Sequence, residues 1–173
     1  MAPGSARSVR LPSFEIGFDL FGVVQRDKPH GEEILHAARI VLSYRVRKGC
    51  TLSNPQSTRD YLSMKLGARD HEVFVILFLD NRNRVIECVE MFRGTIDGAA
   101  VHPREVVKEA LARNAATVIF AHNHPSGIAE PSHADELITK RLKDALSLVD
   151  IRVLDHLVVA GPSITSFAEL GLL

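Results

Sequence analysis

The sequence has little of several features that mark whole classes of protein. Its two cysteines, Cys50 and Cys88, lie far apart and form no Cys-x-x-Cys pair, so they can build neither a disulfide framework nor a four-cysteine zinc site. No apolar run reaches the ~18 residues that a membrane-spanning helix needs, and the N-terminus shows no signal-peptide pattern. We therefore expect a cytoplasmic protein with no membrane contact.

The chain also has no excess of charge of either sign. Lysine plus arginine and aspartate plus glutamate number 21 each, and the isoelectric point is near 7.1. Nucleic-acid-binding domains usually carry a basic face, so the overall charge does not favour that function. At 173 residues, with 46% hydrophobic and 24% charged residues, the composition is typical of one globular domain.

The hydrophobic pattern predicts alternating helices and strands. Helices are expected over 31–48, 57–66, 104–113 and 132–148, with a closing turn at 166–170. Strands are expected over 73–79, 85–92, 117–121 and 153–159, the first two as a hairpin. This order predicts an α/β sandwich around one mixed sheet. Residues 1–28 are expected to form a partly flexible tail and residues 29–173 the folded domain.

The most informative stretch runs from His122 to Asp135, beginning where a buried strand ends. His122 and His124 are two residues apart on extended chain, so they point to the same side of the sheet. Asp135 falls in the first turn of the next helix. Two histidines and one carboxylate leave the fourth position of a tetrahedral zinc ion open for water, which is typical of catalytic zinc. The stretch therefore predicts one zinc ion per chain.

Two further residues are candidates for proton transfer and charge stabilisation. Glu72 heads the first central strand, where a carboxylate has no packing role, and it is the candidate general base. From the residues alone it is not preferable to Asp70. Ser132 can donate to a developing oxyanion. However, Ser-x-x-Asp at a helix start is also close to a capping box, and both roles stay open.

Each predicted ligand also has a purely structural interpretation. His122 and His124 can be hydrogen-bonded structural histidines at a strand end, although their combination with Asp135 and Ser132 favours the metal. Asp135 suits a helix N-terminus through the helix macrodipole alone.

Three neighbouring residues have open roles. Ser126 either donates toward the site or holds the turn, and the turn is favoured. His156, in an apolar strand, is expected to be a buried histidine satisfied by a neighbour rather than the partner of a metal ligand. Arg104, oddly placed near a helix start, pairs either with an anion or with a carboxylate such as Glu105.

The spacing His-x-His-x7-Ser-x2-Asp, with a glutamate upstream, matches the JAMM motif of MPN-domain metalloproteases. More closely, residues 32–173 resemble the bacterial RadC proteins, in particular the short forms of prophages and mobile elements. The resemblance rests on matches at 72–74, 92–95, 102–106, 122–127, 131–132, 155–156 and 166–171.

The resemblance implies a cytidine-deaminase-like MPN (JAB) fold with a mixed β-sheet sandwiched by helices. It also implies zinc ligands at His122, His124 and Asp135, with Glu72 as the acid/base and Ser132 as the oxyanion helper. The implied reaction is amide or isopeptide hydrolysis of a peptide or protein substrate.

A DNA-repair-associated nucleic-acid-binding protein or nuclease is the alternative function. RadC proteins carry a DNA-repair label, but residues 1–28 show no helix-hairpin-helix pair, and the ligand set fits one metal ion rather than two. A cytidine deaminase is excluded because the required Pro-Cys-x-x-Cys is missing. The sequence leaves the substrate and the oligomeric state open.

Overall fold

The computed structural model describes residues 31–45, 48–52, 54–94 and 101–173. Its elements are α1 (Gly31–Arg45), α2 (Pro55–Leu66), β1 (Val73–Leu79), β2 (Val85–Arg93), α3 (Pro103–Ala112), β3 (Thr117–Asn123), α4 (His133–Ser147), β4 (Arg152–Ala160), β5 (Ser163–Ser166) and α5 (Phe167–Leu170). The predicted N-terminal tail at 1–28 lies outside the described residues, as do residues 46–47 of the predicted first helix and Thr95 of the RadC-like motifs.

The five strands form one mixed sheet in the order β2-β1-β3-β4-β5. β1 is antiparallel to both β2 and β3, while β3 and β4 run parallel and β5 returns antiparallel to β4. The parallel step is made through α4, as such a crossover requires. The predicted α/β architecture with one mixed sheet is confirmed, and it is consistent with the JAB/MPN fold.

Two separate apolar clusters lie on the two faces of this sheet. On one face, α2 buries Leu62 and Leu66 against alternate residues of β1 and β3. On the other face, α3 and α4 bury Val106 and Leu142 against aromatic residues of the same two strands, namely Phe74, Phe78 and Phe120. β1 is buried over its whole length because both of its faces are covered. No helix in the described ranges is long and apolar enough to cross a membrane.

Two features differ from the sequence-based expectation. The pattern does not predict β5, which is only four residues long and adds an edge strand to β4. In the sequence, Ile34, Ala38, Val41 and Leu42 fall on one face of the first predicted helix, a pattern typical of a buried face. In the structure Ile34 and Val41 stay 54% and 41% exposed, so α1 contributes little to either apolar cluster.

Candidate metal centre

β3 carries the two predicted histidine ligands out of the sheet at its C-terminal end. His122 is 1% exposed and lies within the strand, whereas His124 directly follows it. The backbone N–H of His124 donates to the carbonyl of Val159 on β4 at 2.8 Å, and its carbonyl accepts from Gly127 at 3.1 Å. Gly127 has a φ of +82°, a left-handed conformation that favours glycine. This turn brings the chain away from the strand and on toward α4.

The N-terminus of α4 fixes the third predicted ligand. Ser132 is the N-cap, and its hydroxyl accepts from the backbone N–H of Asp135 at 3.2 Å. In return, Oδ2 of Asp135 accepts from the backbone N–H of Ser132 at 2.7 Å and from its hydroxyl at 2.6 Å. This reciprocal capping box holds the Asp135 carboxylate in one orientation. The hydroxyl proton of Ser132 is therefore directed at Asp135 in this arrangement.

The three predicted ligands converge on one point. Nε2 of His122 lies 2.9 Å from Nε2 of His124. The carboxylate oxygens of Asp135 lie 3.2 Å from Nε2 of His122 and 3.4 Å from Nε2 of His124. Four ligands set ~2.0–2.1 Å from a tetrahedral zinc ion are about 3.3–3.4 Å apart. His122, His124 and Asp135 thus form a group that can bind a metal ion.

The hydrogen bond on the far side of the His124 ring also suits metal binding. Nδ1 of His124 lies 2.8 Å from the carbonyl oxygen of Ile128. A carbonyl oxygen only accepts, so Nδ1 carries the hydrogen and Nε2 is the nitrogen left with a lone pair. That lone pair is the one directed at His122 and Asp135. The donor set therefore fits a divalent cation such as zinc.

Charge interactions within this group shift the pKa values of its members. Burial raises the pKa of Asp135, but the adjoining imidazoles of His122 and His124 outweigh it and hold the pKa well below its usual value. The adjoining carboxylate of Asp135 raises the pKa of His124, against the opposing effect of burial, and the negative charge of Glu72 acts in the same upward direction. The group therefore presents an ionised carboxylate to whatever cation it binds.

The side chain of His122 continues into a buried hydrogen-bond chain. Its Nδ1 lies 2.8 Å from Nε2 of His156 on β4, and Nδ1 of His156 lies 2.6 Å from the hydroxyl of Thr139 on α4. The Thr139 hydroxyl also donates to the carbonyl of Asp135 at 2.5 Å. His156 is fully buried, and burial holds its pKa well below the ordinary value. This hydrogen-bond chain thus connects two of the three predicted ligands, His122 and Asp135, through the side chains of His156 and Thr139.

Glu72 directly precedes β1, beside the strand end that carries the metal group. Phe74 of β1 pairs with His122 of β3, Glu72 precedes Phe74 by two residues, and its negative charge raises the pKa of His124. Asn123 holds the backbone on both sides of Glu72. Its side chain accepts from the N–H of Val73 at 2.8 Å and donates to the carbonyl of His71 at 3.0 Å. Asp70, the alternative base, has a 99% exposed side chain.

The structure thus brings His122, His124, Asp135 and Ser132 together, with the charge of Glu72 acting on His124, and it clarifies three other residues. The Ser126 hydroxyl accepts from the N–H of Ile128 at 3.4 Å, which agrees with a role in the turn. Arg104 is exposed and pairs with Glu105 at 3.6 Å. His156 is satisfied by a neighbour, as expected. It is also the partner of a predicted ligand, the interpretation that the sequence favoured less.

Sequence reasoning missed two residues of this site. Thr139 lies four residues after Asp135, so the helix repeat sets both on one face of α4, but threonine in a helix is no recognisable signal. Asn123 lies between His122 and His124 on extended chain, so its side chain points away from theirs. A polar side chain at a buried strand position is the signal that could have identified its contacts.

Comparisons with known proteins identify a family that matches most of the chain. Residues 52–172 match the RadC-like JAB domain family. The chain is 61% identical over 142 residues to a UPF0758 protein of Thioalkalivibrio sulfidiphilus, covering 82% of this chain and 63% of that protein. It is 58% identical over 144 residues to a UPF0758 protein of Vibrio cholerae, covering 83% of this chain and 90% of that protein.

The length of these relatives differs from one to the next. The chain spans 62% of a UPF0758 protein of Marinobacter nauticus, with 60% identity over 139 residues, and a similar share of the Thioalkalivibrio protein. The domain match covers more than half of the chain, and its metal-binding group lies within the matched residues. The chain therefore belongs to the RadC-like JAB domain family.

Proposed function

We propose that this chain is a zinc-dependent hydrolase of the JAMM type that cleaves amide bonds, as a metallopeptidase or isopeptidase. The observation that carries the proposal is the convergence of His122, His124 and Asp135, with the negative charge of Glu72 acting on His124. Two imidazoles and a carboxylate are a typical ligand set of catalytic zinc. Iron(II) enzymes use the same three ligand types, so the metal analysis must include iron.

The protein residues divide the work of hydrolysis among them. When bound, a zinc ion lowers the pKa of a bound water to about 7 and polarises a carbonyl group. Glu72 accepts the proton of the attacking water and passes it to the leaving nitrogen. Asp135 and the two histidines hold the ion. Their environment is partly open, since the His124 side chain is 17% exposed and the adjoining Ile128 is 62% exposed, which gives a substrate access.

Glu72→Gln is the variant that tests this proposal, with Asp70→Asn as its matched control. Glutamine keeps the size of glutamate but cannot take a proton, so we expect a 10²- to 10⁴-fold loss of hydrolysis, the usual range for a general base. Zinc content should stay at that of wild type, because Glu72 lies outside the ligand group. Asp70→Asn should change neither quantity.

The assay uses fluorogenic peptides and isopeptide-linked peptide pairs, with zinc and iron measured on the same samples. Loss of metal together with activity in Glu72→Gln would contradict the assigned role. Equal losses in Glu72→Gln and Asp70→Asn would show a general charge effect rather than a base.

A second candidate function, nucleic-acid binding, is favoured by one feature of the surface. A cleft of about 410 Å³ between α1 and α2 is lined by Arg39, Lys65 and Arg69. Arg69 also pairs with Glu90 at 3.5 Å, which leaves Arg39 and Lys65 as the candidate phosphate contacts. Arg69 also connects this cleft to the metal group. Its backbone carbonyl accepts a hydrogen bond from the side chain of Asn123 at 3.4 Å, and Asn123 lies between the predicted ligands His122 and His124.

Fluorescence anisotropy with a labelled DNA duplex at two salt concentrations tests this candidate. We expect micromolar binding that weakens steeply with salt, since phosphate contacts release counterions. The double variant Arg39→Ala/Lys65→Ala should weaken binding. The control Lys140→Ala/Lys143→Ala, on the exposed side of α4, should not. Absence of binding at the lower salt concentration would reject this function.

A further inference from the structure

We propose that Thr139 and His156 are positioning residues that set the hydrogen on His122, so that its Nε2 lone pair is free for the metal. The inference rests on the metal site proposed above, but it does not depend on which reaction that site catalyses. It follows from counting the hydrogens in the buried chain from Thr139 through His156 to His122.

The direction of this chain starts at the backbone of α4. The Thr139 hydroxyl lies 2.5 Å from the carbonyl oxygen of Asp135, four residues earlier in the helix. A carbonyl can only accept, so the single hydrogen of the hydroxyl is used there. The hydroxyl oxygen must then accept at its other contact. Nδ1 of His156, 2.6 Å away, therefore carries a hydrogen.

The surroundings of His156 determine its other nitrogen. The ring is 0% exposed and lies against the aromatic rings of Phe74, Phe120 and Phe167. A second hydrogen on this ring would create a buried cation, which is costly in such an environment. Nε2 of His156 therefore has a lone pair, and it accepts from Nδ1 of His122 at 2.8 Å.

The last step concerns His122 itself. With its hydrogen on Nδ1, its Nε2 is left with a lone pair directed at His124 and Asp135. The opposite order, with Thr139 donating to His156, would set a hydrogen on Nε2 of His122 and prevent metal binding. His124 obtains the same tautomer from the carbonyl of Ile128. One ligand is thus oriented by backbone, the other by two side chains.

Thr139→Val removes the acceptor that holds this order and changes the size of the side chain very little. Without that acceptor, the tautomer of His156 with its hydrogen on Nε2 becomes more favourable. Nδ1 of His122 must then accept this hydrogen, which sets the hydrogen of His122 on its Nε2. We expect the zinc affinity, measured by competition with a chromophoric chelator, to fall about 10- to 100-fold, the usual range for residues that support a metal ligand. Thr139→Ser keeps the hydroxyl and should restore most of the affinity.

Thr117→Val is the matched control. Thr117 is also a fully buried threonine, but its hydroxyl, on β3, has no hydrogen-bond partner among the residues that the structure describes. We expect Thr117→Val to leave the zinc affinity unchanged. Wild-type zinc affinity in folded Thr139→Val, or an equal loss in both valine variants, would overturn the proposal. Circular dichroism of the metal-free proteins establishes folding.

A measurement on the wild type needs no variant. Long-range ¹H–¹⁵N spectra of the zinc-loaded protein should show hydrogens on Nδ1 of both His122 and His156, with an unprotonated Nε2 on His156. A hydrogen on Nε2 of His156 would overturn the proposal. If the wild type binds no zinc, the proposed function fails, while the same spectra of the metal-free protein still decide the hydrogen positions.

Discussion

The two ends of β3 differ in how their buried polar side chains are hydrogen-bonded. At the N-terminal end, Thr117 is fully buried and, within the described part of the chain, its hydroxyl has no hydrogen-bond partner. At the C-terminal end, His122 and Asn123 are as deeply buried, yet Nδ1 of His122 and both polar atoms of the Asn123 side chain have hydrogen-bond partners, and Nε2 of His122 faces His124 and Asp135. The partners come from β4, from the start of β1 and from the turn after β3.

This difference separates a tolerated polar residue from a built site. A buried hydroxyl without a partner costs free energy and does nothing for its neighbours. Hydrogen-bonded polar side chains at the end of a strand orient the segments around them, and each hydrogen bond restricts the orientation of the next side chain. The C-terminal end of β3 is also where α/β sheets usually bind ligands. Four variants break or sharpen this comparison.

Asp135→Ala should have the largest effect, because it removes the only carboxylate of the metal group and part of the α4 capping box. We expect loss of bound zinc and of any hydrolysis, with a stability loss of about 1 kcal/mol from the cap. Metal analysis and urea unfolding measure the two effects. Asp144→Ala, at an exposed position of the same helix, should change neither. Retention of stoichiometric zinc in Asp135→Ala would remove Asp135 from the ligand set.

Asn123→Ala should have the next largest effect. It leaves the buried N–H of Val73 without an acceptor, which costs about 1–3 kcal/mol. The backbone beside Glu72 also loses its clamp, so hydrolysis should fall while zinc stays bound. Urea unfolding and metal analysis separate these outcomes. If stability is unchanged, the clamp is not a significant contact.

Ser132→Ala distinguishes the two roles that the sequence leaves open. The described hydrogen bonds to Asp135 predict loss of a cap, about 1 kcal/mol, with a modest change in turnover. Ser166→Ala is the control, since Ser166 caps α5 and donates to the carboxylate of Asp155 in a similar way. A hundredfold or larger fall in kcat, confined to Ser132→Ala, would instead indicate an oxyanion donor.

Thr117→Val should have the smallest effect. Removing a buried hydroxyl that has no partner relieves its burial cost, so the protein should be unchanged or more stable by up to about 1 kcal/mol. Thermal and urea unfolding measure the change. A clear destabilisation would mean that the two ends of β3 differ less than their contacts indicate.

The sequence predicts the site better than it predicts what surrounds the site. His122, His124 and Asp135 are recognisable because their spacing is local: two residues on a strand, then a helix start. Glu72 becomes preferable to Asp70 only through long-range structure, because its charge acts on His124 whereas the side chain of Asp70 is 99% exposed. Thr139 and Asn123 have no local signature, since their partners come from distant parts of the chain.

The same distinction applies to the fold. Long, strongly periodic or apolar segments such as β1 and α4 were predicted nearly to their ends. β5 was missed because four residues carry too little pattern, and it forms only where β4 offers an edge. The apolar stripe of α1 shows the converse: a pattern typical of a buried face whose Ile34 and Val41 remain largely exposed.

Elemental analysis of the purified wild-type chain, after incubation with zinc and removal of the excess, tests the central claim most directly. The account predicts about one zinc per chain, held by His122, His124 and Asp135. A folded wild type that retains no zinc and no iron under these conditions would contradict it, because the three converging ligands would then have no ion to bind.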